Sequence, residues 1–503
     1  MADAMRGMTA DVCLITDNSY PFVYSETANW IKSLLTSHKN ISFSLVALAD
    51  KVSSAEDGLK YALPVNVVSF ADVDTVIDHK GSFFLSKKEL RTIAAAYYPL
   101  LKAIMTDTAD AGTYAALFRL FGLYKNKFGR DHLYGEEMWN IANVIYKELV
   151  PNSSFLGFYK TFIYFTGIIC SMLTYRLPAA TVYHCAAAGC AGLLAVNAKL
   201  ATNRPVYISE YNIMAVERRI DILVSDLFAA TDSVGAWRSD DRPSLKSIWI
   251  NVLSSFTKAG YGAADKITAL SKDNSELQQS MGAVPDKCMV IPADVEYGKY
   301  SSLTAIPLEQ RPLTVSLIAD VEPENDIKTF LFAANKVLKY VPYVRFLIVG
   351  SLEKDKIYLK ECKDIVSDYN LNDNVVFTGI RSVADVLRET DLLVSTALND
   401  VMSYALLKGA AAGIPFVSAD VGELPALAFG RDDDEDDKKL GQGAVIVDVM
   451  NADDTAKGMV KLLLNYDLRR SMGKILSVRV KNGYNRDAVS GMYTELYRKG
   501  ALR

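Results

Sequence analysis

His184 follows the apolar run Ala180–Tyr183, so it stands at the carboxyl end of an expected strand, where parallel sheets bind their ligands. A histidine there can face a ligand or be satisfied inside the core, and its position alone leaves both roles open. The other residues with chemistry to offer are scattered. Six cysteines stand at positions 13, 170, 185, 190, 288 and 362, none in a CxxC pair, and there are only 4 histidines. Neither a zinc site nor a disulfide framework is expected from that spacing, and the thiols suit a reducing compartment. Gly189 and Gly192 follow a strand without completing a GxGxxG fingerprint, so they predict close helix–sheet packing rather than a dinucleotide site. The run Arg431–Lys439 (RDDDEDDKK) predicts a solvated loop, with metal binding the weaker reading.

The elements that must position these residues alternate. Val12–Thr16 predicts a strand, followed by a polar loop with Pro21 and an amphipathic helix over Thr27–Leu35. Further strands are expected at Ile41–Ala47, near Val65–Phe70, at Ala180–Tyr183 and at Pro205–Ser209, with a small-residue helix over Ala186–Leu200. Between about 85 and 170 the sequence reads as mostly helical, an insertion in the first α/β domain. The polar stretch 296–312, with two prolines, is the best linker candidate. Beyond it, strands at Leu313–Ile318, Val344–Val349, Val375–Thr378, Leu392–Ser395, Pro415–Ser418 and Ala444–Val447 alternate with helices. The stripe Ile327, Phe330, Leu331, Ala334, Val337 and Leu338 marks one of those helices. Such alternation implies parallel sheets.

The totals set outer limits. A chain of 503 residues is too long for one ordinary core and fits two or three domains. Half of it is apolar (50%) and 23% is charged, the balance of a soluble globular protein. A net charge of −4 with interspersed signs argues against a nucleic-acid binder. No signal peptide is read at the start. Thr161–Tyr175 is strongly apolar but shorter than the roughly 18 residues that spanning needs, so a buried helix is expected and no transmembrane segment.

Several stretches carry a resemblance: DVCLITDNSYPFVYSETANWIKSLL (11–35), VYHCAAAGCAGLLA (182–195), ISEYNIMAVERRIDI (208–222), IWINVLSSFTKAGYGAADKITALSKDN (248–274) and VIPADVE (290–296). They look like PelF-type exopolysaccharide glycosyltransferases. ENDIKTFLFA (324–333), FTGIRSVADVL (377–387) and GAAAGIPFVSADVGEL (409–424) look like the donor-binding domain of retaining GT-B enzymes in general. The likeness keeps its order along almost the whole chain. It implies an α/β protein of the GT-B class, two facing Rossmann-like domains. Residues 1–297 would form the acceptor-side domain, with a helical insertion at about 80–175, and 298–312 the linker. Residues 313–480 would form the nucleotide-sugar-side domain, and 481–503 a helix returning to the first domain. The implied reaction is retaining sugar transfer from a UDP-sugar to a polysaccharide acceptor, without metal or cofactor.

Laid on this chain, most of the family's charges change. Its Gly-Gly loop falls on Ser25 and Glu26, and the Arg and Lys that hold the diphosphate fall on Asp320 and Asn325. The two glutamates of E-x7-E fall on Asp400 and Lys408. The histidine after retained Glu210 becomes Tyr211, and an Asn-Gly becomes Ala293-Asp294. A unit charge about 4 Å from another is worth roughly 4 kcal/mol at an effective dielectric near 20. Exchanging an attractive Arg for a repulsive Asp would therefore weaken diphosphate binding by several powers of ten. Compensation could come from Lys328, from Lys408, or from the amides of Met402, Ser403 and Tyr404 where a helix opens. Lys328 reads equally as a solvated helix residue, and Lys408 as one half of an ion pair with Asp320 or Asp400. Glu210, Glu217 and Arg218 read as braces of the first domain rather than as ligands.

By resemblance the expected setting is cytoplasmic and peripheral at the inner face of a bacterial membrane, beside an integral polysaccharide-export protein or an active homologue. Two functions follow: a partner or scaffold with lost or weakened catalysis, or an active transferase with an altered phosphate-binding arrangement.

Overall fold

The computed structural model describes residues 9–17, 19–49, 58–75, 85–124, 129–224, 244–432 and 434–502. Their strands fall into two all-parallel sheets. The first contains β1 (Ala10–Thr16), β2 (Phe43–Ala49), β3 (Val67–Asp74), β4 (Ala180–Cys185), β5 (Val206–Glu210), β6 (Lys266–Ala269) and β7 (Cys288–Val290), in the order β3-β2-β1-β4-β5-β6-β7. The second contains β8 (Thr314–Ile318), β9 (Arg345–Val349), β10 (Val375–Gly379), β11 (Leu392–Ser395), β12 (Phe416–Ala419) and β13 (Val445–Val447), ordered β10-β9-β8-β11-β12-β13. Strands covered on both faces must be apolar throughout. β2 obeys this with FSLVALA buried at every position.

The chain divides into two compact units. The first comprises Met1–Ala269, Asn274–Val290 and Tyr493–Arg503; the second comprises Leu270–Asp273 and Ile291–Met492.

In the first unit, α1 (Glu26–Ser37) follows β1, and among the described residues four long helices lie between β3 and β4: α2 (Lys87–Met105), α3 (Ala111–Leu123), α4 (Glu136–Leu149) and α5 (Phe155–Thr174). These are no separate lobe. Tyr97, Phe121, Phe158 and Phe162 share one continuous apolar core with Ile15 and Val46 of the sheet. The apolar run expected at Thr161–Tyr175 begins earlier than its composition suggested, because Ser154 caps the helix by accepting the Gly157 N–H. The resulting 20 residues reach spanning length, and 67% of the apolar window is buried inside the unit, as in a core helix.

Then follow α6 (Cys190–Thr202), α7 (Met214–Val224), α8 (Leu245–Ala263) and α9 (Lys272–Ser280). The helix expected from Ala186 starts only at Cys190, since residues 186–189 form the turn out of β4. Gly192 packs against a helix, not the sheet. A Cβ there would lie 3.0 Å from the Phe256 carbonyl oxygen, and one on Gly260 would lie 2.9 Å from the Gly192 Cα. α6 and α8 therefore meet backbone to backbone.

The second unit adds α10 (Ile327–Val337), α11 (Lys356–Asp368), α12 (Tyr404–Ala411), α13 (Leu424–Phe429), α14 (Glu435–Lys439), α15 (Ala452–Leu464) and α16 (Tyr466–Gly483). The stripe Ile327, Phe330, Leu331, Ala334 and Val337 is buried on β8 and β9 residues such as Val315 and Phe346. The acidic run 431–439 is not a free loop. Arg479 of α16, 1% exposed, donates from Nε to Asp437 Oδ1 at 2.7 Å, with its remaining N–H groups on the carbonyls of Leu427, Ala428, Asp437 and Gly441. The last helix, α17 (Arg486–Ala501), belongs to the second unit as far as Met492 and to the first from Tyr493 onward.

Candidate functional site

In a parallel sheet, ligands gather at the carboxyl ends of the two strands where the chain reverses its direction of travel. Here those pairs are β1/β4 in the first unit and β8/β11 in the second. Most of the residues singled out from the sequence lie at or near these ends.

At the β8 exit, Gly350 is pressed so closely on the Ala319 carbonyl that a Cβ would stand 2.1 Å from it. That approach delivers the Ser351 N–H to Asp320 Oδ1 at 2.6 Å, while Lys354 Nζ lies 3.8 Å from Asp320 Oδ2. Asn325 donates to the Asp320 carbonyl at 2.8 Å and to Glu322 Oε1 at 3.3 Å. The two positions expected to carry the diphosphate's cations thus close one loop upon itself. Burial first, and then the nearby Glu324 and Asp320 carboxylates against the pull of Lys354, hold the Glu322 pKa above its usual range. Across the switch point, Thr396 Oγ1 donates to the Asn325 and Asp326 carbonyls at 3.0 and 2.9 Å, and Leu398 N–H to the Glu324 carbonyl at 2.8 Å.

Lys328, on the first turn of α10, is bound 2.7 Å from Glu361 and lies over the Tyr358 ring. The Glu361 hydrogen bond raises its pKa. In the β11–α12 turn, Asp400 Oδ1 accepts the Met402 N–H at 3.1 Å, and Ser403 caps α12 by accepting from the Leu406 N–H. The Lys408 ammonium lies 5.7 Å from the centre of the Tyr404 ring. Of the two carboxylates weighed as partners for Lys408, Asp320 instead has Lys354 as the cation beside it. Asp294 also finds an internal partner, Arg486 Nε at 2.6 Å.

At the first unit's switch point, Ser25 caps α1 by accepting the Ala28 N–H at 3.1 Å. Glu26 opens that helix, and its Oε2 accepts the hydroxyl of Tyr211 at 2.8 Å. Strand order puts β4 between the strands that lead to these residues, so this bond reaches past the β4 end. Two departures from the family pattern, at 26 and 211, therefore satisfy each other. Glu210, 1% exposed, accepts from Tyr261 Oη at 2.5 Å and Gln278 Nε2 at 3.0 Å. Burial raises its pKa against those bonds. Glu217 accepts from Asn212 Nδ2, and Arg218 pairs with Asp221 in solvent.

His184 is turned inward, so of the two roles left open by its position it takes the core one and not that of the substrate-binding candidate. It is fully buried, with Nδ1 2.7 Å from Tyr497 Oη and Nε2 2.7 Å from Ser209 Oγ, and no ring nitrogen is left for a ligand. Sequence reasoning overlooked Ser351, Lys354, Tyr261, Gln278 and Tyr497. Each reaches its partner across strands or from a remote helix, and no local pattern marks it. Among the described residues no group of three metal-ligating side chains converges.

Comparison with known proteins fixes the class. Residues 312–465 match the family described as glycosyl transferases group 1. HepE of Anabaena, solved in complex with UDP, superposes with a TM-score of 0.60 at 10% identity, covering 98% of this chain and 100% of that one. Sucrose-phosphate synthase of Thermosynechococcus elongatus superposes with a TM-score of 0.56 at 12% identity, covering 97% and 98%. D-inositol 3-phosphate glycosyltransferase of Segniliparus rotundus is 24% identical over 172 residues, 32% of this chain and 38% of its own length. The alignment thus spans well under half of that relative. The fold is that of the GT-B glycosyltransferases, with two Rossmann-like domains. Within that class the chain belongs to the family described as a domain of unknown function, DUF3492, matched over residues 10–286 and followed by the group 1 domain.

Proposed function

We propose that this chain is a glycosyltransferase-fold partner or scaffold in exopolysaccharide assembly, resembling PelF, with its own donor chemistry lost or severely weakened. The observation that carries this reading is the internal use of the substituted charges. Asp320 and Asn325 bond within their own loop, Glu26 holds Tyr211, and Asp294 holds Arg486. A diphosphate gains negative charge as its sugar leaves, so a transferase needs preorganised cations and amides around it. Carboxylates at 26 and 320 oppose that need. The hydrophobic framework is independent of those positions, so the fold persists without the chemistry. The proposed place of work is the cytoplasmic side of a membrane, against an integral export protein or an active homologue. Six free cysteines, four of them buried, suit that compartment.

A second reading, an active retaining transferase using a UDP-sugar, draws support from the amides that open α12 and from HepE, solved with UDP-glucose. Calorimetric titration with UDP and with UDP-glucose separates the two. The partner reading expects dissociation constants no tighter than about millimolar and no turnover. Micromolar binding with release of UDP would establish the transferase instead.

A further inference from the structure

We infer that Asp320 is a built-in occupant of an oxyanion subsite, its carboxylate standing where a phosphoryl group would otherwise be received. The inference deepens the reading above, on which it rests for the identity of the site as a former donor pocket. The place is the second sheet's switch point, where an open parallel sheet takes its ligand. The groups that would receive an oxyanion are present. The Ser351 N–H stands just beyond the β9 end, and the Lys354 ammonium, 53% exposed, approaches the same carboxylate. Both are engaged by one carboxylate of the same chain, at 2.6 and 3.8 Å. Asp320 itself is 37% exposed, so the place it fills is open to solvent and not sealed in the core.

Two features hold the occupant there. The Gly350–Ala319 approach leaves no room for a side chain, which fixes the Ser351 amide against the β8 exit. The Asn325 side chain grips the Asp320 backbone carbonyl, and the Glu322 N–H does the same at 3.0 Å. A tethered carboxylate faces no loss of translational freedom on binding, so it outcompetes a free anion of equal intrinsic affinity. Asp320 is thus a specificity-determining residue, one that excludes phosphoryl oxygens by repulsion and by occupancy.

The test is titration calorimetry of the full chain with UDP, inorganic pyrophosphate and uridine, on the wild type and on Asp320→Ala, Asp320→Asn and the double variant Asp320→Ala/Lys354→Ala. Asp320→Ala is expected to bind UDP and pyrophosphate at least about tenfold more tightly than the wild type, with uridine unchanged. Lys354→Ala should abolish that gain. Asp320→Asn keeps an acceptor on the Ser351 amide while deleting the charge, so a smaller gain is expected; it carries the test should Asp320→Ala fail to fold. Unchanged pyrophosphate affinity in a folded variant, or an equal gain for uridine, overturns the inference. Tight UDP binding by the wild type would instead refute the partner reading, and the effect of removing Asp320 would still be read separately.

Discussion

His184 shows what a single buried group does to the pH response. Burial first, and His38 second, hold its pKa down to about 3, whereas an unfolded chain binds that proton near pH 6.5. Between those values the unfolded state carries the extra proton, so stability is complete above about pH 6.5 and falls as the pH drops toward 3. The slope from this group is at most about 1.4 kcal/mol per pH unit. Urea unfolding of the wild type and of His184→Gln should therefore differ less at about pH 5 than at about pH 7, by roughly 2 kcal/mol. A difference that stays constant with pH would contradict this account. The sequence located His184 at a strand end because the apolar run before it is unambiguous. It could not reveal the two oxygens that claim the ring, since Tyr497 lies 313 residues further along. The same holds for Asp320: its charge was legible, but the Ser351 amide and Lys354 that neutralise it come from the neighbouring strand's exit.

At the scale of elements, hydrophobic periodicity was the readable signal. The α10 stripe and the short apolar strands of both sheets declare themselves, because a parallel sheet covered on two faces tolerates little else. Element ends were less legible. α5 starts at a serine cap six residues before the densest apolar run, and α6 starts after a turn whose alanines look helical by composition. Misread in part was the run 431–439: Asp432, Glu435 and Lys439 are solvated as expected, but Glu435–Lys439 form a helical turn. Its Asp436 is solvent-facing, but Asp437 is drawn onto Arg479, which places every guanidinium donor bond inward. Replacing Arg479 by Met removes all of these bonds and takes the buried cation from Asp437, and is expected to lower stability by about 3–5 kcal/mol. Chemical denaturation of the variant checks the figure; a loss below about 1 kcal/mol would mean that α14 re-solvates freely.

At the scale of the whole molecule, alternation of strands and helices was enough to reveal two Rossmann-like halves; the return of the last helix to the first half came only from the resemblance, and the passage of Leu270–Asp273 into the second unit was not legible at all. Tyr493 and Tyr497 of α17 lie in the first unit beside His38 and His184, and the Tyr207 hydroxyl donates to the Leu496 carbonyl at 3.1 Å. Removing residues 493–503 should therefore lower the melting temperature of the first unit by more than about 5 °C and leave the second unit's transition in place. Differential scanning calorimetry reads both; an unmoved first transition would refute the account. The same arrangement sets an order of events during synthesis. β1 to β7 emerge from the ribosome well before the tyrosines that complete their packing, with Ile291–Met492, nearly all of the second unit, translated in between. The nascent first unit must wait with an unfilled slot around His184, and a ribosome that stalls anywhere in the second unit leaves it in that state.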